Sequence, residues 1–161
     1  KLELPEPREV RIVIPDIVYQ DSLRLNLGGV TCHLRHAGGD HAADSCVMYV
    51  EPDRVLFLGD CLYDAIYAPV RHYTIRHLFP LLDTLRVFDA HYIIEGHTPA
   101  VMSSSEFNSL MDRLRQIGSI VQQVGADEPA ALAAAQARFG QPLDEDTDDL
   151  VRALVAGRAF E

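Results

Sequence analysis

Tryptophan is absent from this 161-residue chain, and cysteine is scarce, with three residues at Cys32, Cys46 and Cys61. The number is odd and no pair has Cys-x-x-Cys spacing. That excludes a disulfide-stapled secreted fold and a cysteine-rich zinc ribbon, and the three read as reduced thiols of a cytoplasmic protein. Basic residues are few: 14 Lys and Arg stand against 24 Asp and Glu, a net charge of −10. With no basic block, neither a nucleic-acid nor an anionic-membrane surface is expected. No apolar run approaches the roughly 20 residues that span a bilayer. The opening Lys1-Leu2-Glu3-Leu4-Pro5-Glu6-Pro7 lacks the apolar stretch of a signal peptide. It also lacks a starting Met, so the chain reads as processed or as part of something longer.

What is present is a hydrophobic fraction of 48%, enough for one globular domain with a real core. The chain has two textures. Residues 8 to 60 alternate with the period of strands. Arg8 to Ile14 is one such stretch, ended by Pro15-Asp16. Ser22 to Leu27 is a second, turned by Gly28-Gly29 into Val30 to Leu34. Ser45 to Val50 and Arg54 to Leu58 flank a turn at Glu51-Pro52-Asp53. From residue 71 the period lengthens. Leu78, Phe79, Leu82, Leu85 and Phe88 recur at helical spacing, with Pro80 expected to kink or restart that helix. His91 to Ile94 is a short buried strand. Ser103 to Glu106 fits a capping box before an apolar stripe running from Phe107 to Val124. Asp127-Glu128-Pro129 opens an Ala-rich helix ending near Gly140, and the acidic run Asp144 to Asp149 opens a last one. The period switch predicts mostly antiparallel strands covered on one face by helices near 74–88 and 104–124.

Three residues of metal-binding type sit at strand ends, each in a glycine-containing loop: His41, Asp60 and His97. Loops at one edge of a sheet are where a rigid scaffold presents chemistry. Imidazole together with carboxylate suits zinc, iron or manganese. By pattern alone, a turn role is the commoner use of such residues.

The order of these residues says more. "DHAADSCVMYVEPDRVLFLGDCLYD", at 40–64, followed by "HYIIEGHTPAV", at 91–101, resembles the second half of the metallo-β-lactamase superfamily. The resemblance covers roughly residues 10 to 100. It implies the C-terminal half of an αββα sandwich, an α/β fold with a mostly antiparallel or mixed sheet and helices on one face. Residues 1–100 would be the second half of that domain, and 101–161 a helical part packed on it. It further implies two zinc ions in the complete enzyme, with His41 on the first metal, Asp60 bridging and His97 on the second. Asp60 stands where the commonest zinc β-lactamases carry Cys, which speaks for a general hydrolase. The superfamily's upstream HxHxDH string is absent; His33, His36 and His41 do not reproduce its spacing. The chain is therefore expected to be the C-terminal portion of a larger enzyme, inactive by itself, with no assignable catalytic residue of its own.

Asp40, Cys61 and Tyr63 are further candidates. Asp40 could orient His41 from behind. Cys61 could bind metal, although a buried small hydrophobe is the plainer reading. Tyr63 could line a pocket, although packing is its plainer use. Two function classes follow: a metal-dependent hydrolase acting on a small-molecule ester, thioester, amide or phosphodiester, and a non-catalytic remnant of the fold serving as a protein-interaction module. If the first half is missing, the strand face marked by Leu23, Leu25, Leu27, Val30 and Cys32 should need that N-terminal half or a second copy to cover it.

Overall fold

A computed structural model describes residues 11–161 of the chain. Six strands run in sequence order across one sheet: β1 Ser22–Asn26, β2 Thr31–His36, β3 Cys46–Glu51, β4 Val55–Gly59, β5 Tyr92–Glu95 and β6 Met102–Ser103. Every neighbouring pair is antiparallel except β4 and β5, which are parallel. Helix α1 (Ile75–Leu85) lies between those two parallel strands in the chain, as a parallel connection requires. After β6 come α2 Ser104–Val124, α3 Glu128–Phe139 and α4 Glu145–Gly157. No helix among the described residues is long and apolar enough to cross a membrane.

The helical signals resolve as expected at most ends. Ser103 and Glu106 make a reciprocal capping box on α2. Asp127 caps α3 through Ala130 N–H, and Asp144 caps α4 through Thr147 N–H. Two expectations need correction. Residues 11–14 form no strand, and residues 8–10 of that alternating stretch lie outside the described residues. Nor does Pro80 interrupt α1. An interior proline costs about 3 kcal/mol. Burial of Ile75, Leu78, Leu81, Leu82 and Leu85, at about 1.5–3 kcal/mol for each large side chain, outweighs it.

The two faces of the sheet differ. One carries Val47, Tyr49, Leu56, Leu58 and Ile93, which join the helices in a single core. From α2 that core takes Phe107, Met111, Leu114, Ile117 and Val121, and from α4 Val151, Leu154 and Val155. The strand register places Leu23, Leu34, Met48, Phe57 and Ile94 in one row across the opposite face. Leu25, Cys32, Val50, Val55 and Tyr92 form a second row there. None of these ten belongs to the core or packs against it, and apart from Cys32 none is fully buried. Among the described residues the helices cover one face, and no helix covers the other, which is apolar and mostly half-buried. Leu27 and Val30, at the β1–β2 turn, are exposed beside it.

Candidate functional site

The topology decides where the loops go. Because β4 and β5 are parallel, Asp60 and His97, which follow them, emerge at the same end of the sheet. Strand β3 is antiparallel to both β2 and β4, so the β2–β3 loop with His41 lies at that end too. The chain thus brings together residues up to 56 apart in sequence (97 − 41).

Nε2 of His41 stands 3.6 Å from Oδ2 of Asp60, and Nε2 of His97 stands 3.3 Å from the same oxygen. Both distances exceed the 2.7–2.9 Å usual for a charge-assisted N–H···O bond. The His41 side chain is 14% exposed and that of His97 is 73% exposed, so one ring is a wall of the site and the other its rim. Nδ1 of His41 lies 3.3 Å from the backbone carbonyl of Asp64. A carbonyl only accepts, so in the neutral ring Nδ1 carries the hydrogen and Nε2 turns its lone pair toward Asp60. A lone pair facing a carboxylate is satisfied by a proton or a metal ion between them.

Local packing holds this arrangement. A Cβ on Gly96 would collide with the Asp60 carboxylate. Gly39, at φ +122°, approaches the Cys61 carbonyl so closely that a Cβ would sit 2.9 Å from that oxygen. These contacts seat the His41 loop on the Asp60 loop. Tyr63 sets its ring beside both histidines, with centroids 6.1 Å from His41 and 5.6 Å from His97. Tyr67 flanks His41 at 5.9 Å.

The Asp40 side chain is buried and is not hydrogen-bonded to His41. Its carboxylate accepts from Thr74 N (2.6 Å) and Thr74 Oγ1 (2.8 Å), and pairs with Nδ1 of His77 (2.7 Å). It therefore anchors the His41 loop to the start of α1, where a negative charge also suits the helix dipole. Cys61 is 1% exposed, and burial pushes its thiol up to about 12, which leaves it protonated and inert. Sequence reasoning missed Asp64. It is buried, gripped by Arg71 through Nε at 2.9 Å and the terminal nitrogen at 2.8 Å, and it supplies the carbonyl that orients His41.

Two ligands bound at about 2.0–2.2 Å to a tetrahedral ion stand about 3.3–3.6 Å apart. The His41–Asp60 and His97–Asp60 distances match that edge length. Each edge supplies two donors, and no three His, Cys, Asp or Glu side chains among the described residues are arranged to hold an ion by themselves. The residues therefore fit part of a metal site.

No protein-family model matches the sequence, and no curated protein matches it. Solved structures do resemble the fold. The stereoselective inverting sec-alkylsulfatase from Pseudomonas sp. superposes on 88% of this chain with a TM-score of 0.56 and 15% identity, over 24% of its own length. A double mutant of that sulfatase gives 0.55 at 15% identity, over 92% of this chain and 27% of its own. A metallo-β-lactamase from Pontibacter korlensis gives 0.47 at 21% identity, over 61% of this chain and 47% of its own. The chain spans about half of the lactamase and about a quarter of the sulfatase. The likeness to the sulfatase, at a TM-score above 0.5, shows a shared fold over most of this chain.

Proposed function

We propose that this chain supplies part of the metal centre of a metal-dependent hydrolase, with His41 and His97 as imidazole ligands and the Asp60 carboxylate shared between them. Zinc best suits this donor set, and iron and manganese are the alternatives. The observation that supports the reading is the convergence of both Nε2 atoms on one carboxylate oxygen at metal-ligand edge distances. Bound metal would supply hydroxide near neutral pH by acidifying its water. The chain's own residues have other tasks. The Asp64 carbonyl fixes the ring of His41, the bare Cα of Gly96 admits Asp60 between the histidines, and Tyr63 closes the site from the side. The substrate class is an ester, thioester, amide or phosphodiester of a small molecule.

Two donors per edge leave the remaining ligands to come from beyond these residues. The uncovered apolar sheet face is the natural seat for the element that brings them, an N-terminal half of the same domain or a second copy. That face also favours the second reading, an interaction module of the same fold without catalysis. Metal titration separates the two. Cobalt(II) added to the 161-residue chain is expected to give a visible spectrum that zinc abolishes and that Asp60→Asn lacks. Dialysis should leave well under one zinc per chain. Cobalt binding unchanged by Asp60→Asn would overturn the metal reading.

A further inference from the structure

A cleft of about 660 Å³ opens beside the candidate site, between α2, α4 and the loop from Leu62 to Tyr73. Its size falls within the range of small-molecule pockets, about 300–1,000 Å³. Tyr63 and Glu95 are among its lining residues. Tyr63 stands beside both His41 and His97, and Glu95 precedes the glycine packed on Asp60. The cleft therefore adjoins the candidate site through these two residues.

The walls decide what fits. Leu62, Leu110, Leu114 and Leu150 make the sides apolar. Five carboxylates line the cleft, from Asp64, Glu95, Glu128, Asp146 and Asp149, against three guanidiniums. Those guanidiniums are already engaged. Arg71 holds Asp64, Arg152 holds Asp148 and Glu128, and Arg113 reaches Asp144 at 3.5 Å and Asp146 at 4.0 Å. An anionic ligand would meet a surplus of two negative charges (5 − 3) and no free guanidinium. A cation on an aliphatic body would meet both the carboxylates and the leucines of the lining.

We propose that this cleft binds the aliphatic, amine-bearing part of the substrate of the hydrolase. The inference rests on the metal-centre reading for its link to catalysis, but ligand binding itself requires no metal. The test is therefore run on the metal-free 161-residue chain, by calorimetry and NMR with n-octylamine, octanol and octanoate. Octylamine is expected to bind saturably, and octanoate at least about tenfold more weakly, about 1.4 kcal/mol. Leu110→Trp, which fills the cleft, should abolish octylamine binding, and Asp149→Asn should weaken it several-fold while leaving octanol unchanged. Equal or tighter octanoate binding overturns the cationic assignment. Octylamine binding that survives Leu110→Trp in a folded chain, or no saturable binding at all, overturns the site. Because these readouts omit metal and turnover, they stand or fall separately from the cobalt titration.

Discussion

The carboxylate of Asp60 occupies the space in which a side chain on residue 96 would begin, so Gly96 is the only residue that leaves it between the two histidines. Gly96→Ala is expected to swing Asp60 away from His41 and His97. Cobalt affinity should fall at least about tenfold, the equivalent of about 1.4 kcal/mol. The loop is exposed, so the melting temperature should drop by no more than a few degrees. Equal cobalt affinity in the variant would show that the close approach does not position the carboxylate.

Thiol chemistry gives a second check. Cys46 is exposed, whereas Cys32 and Cys61 are buried. The Cys61 thiol is raised to about 12 by burial, so at pH 8 it has almost no thiolate. A chromogenic disulfide reagent should titrate one thiol per native chain quickly and all three only in denaturant. Fast reaction at Cys61 in the native chain would contradict its packing under the Asp60 loop.

Two helix caps set the acid limit of the helical layer. Hydrogen bonds from the Ser103 side chain and backbone hold Glu106 below its ordinary 4.5. The Thr147 backbone N–H does the same for Asp144, below its ordinary 3.8. A depressed acid contributes stability that is complete above its ordinary value and is lost as pH falls through its folded value. The melting temperature is expected to be level in these terms between pH 7 and about 5, and to fall below about pH 4. Glu106→Gln should remove part of that dependence. Circular dichroism melts across the range decide it.

The uncovered sheet face should betray itself in solution. Contiguous apolar surface beyond a few hundred Å² is seldom left open on a monomer. The chain at micromolar concentration is expected to bind a dye for exposed apolar surface and to scatter light as more than a monomer. Phe57→Glu, in the middle of the face, should reduce both signals with little change in melting temperature, because Phe57 is outside the core. A clean monomer that ignores the dye would mean that the face is self-sufficient.

Much of this was legible because it rests on period and capping. The β1–β4 alternation, the Ser103–Glu106 box and the leucine stripe of α1 are local signals, and the structure follows them. Pro80 misled because propensity is local, whereas the burial that overrides it is tertiary. The stretch at 11–14 alternates like a strand, but pattern cannot tell whether a pairing partner is present. The gathering of His41, Asp60 and His97 at one sheet end was readable only through the order of motifs. The role of Asp64 was not readable, because it acts through a backbone carbonyl that any residue possesses. The cleft depends on where α4 docks, and its acidic opening run announced a helix start and nothing about its neighbours.

The bond from Asp40 to Thr74 and His77 has a consequence for inheritance. It makes the placement of His41 a joint property of two stretches more than thirty residues apart, 40–41 and 74–77. A change at position 40 that keeps the fold would need a matching change at 74 or 77. Homologous chains should therefore show these positions drifting together, alongside the pair 60 and 96, while substitutions along the uncovered sheet face follow whatever lies against it.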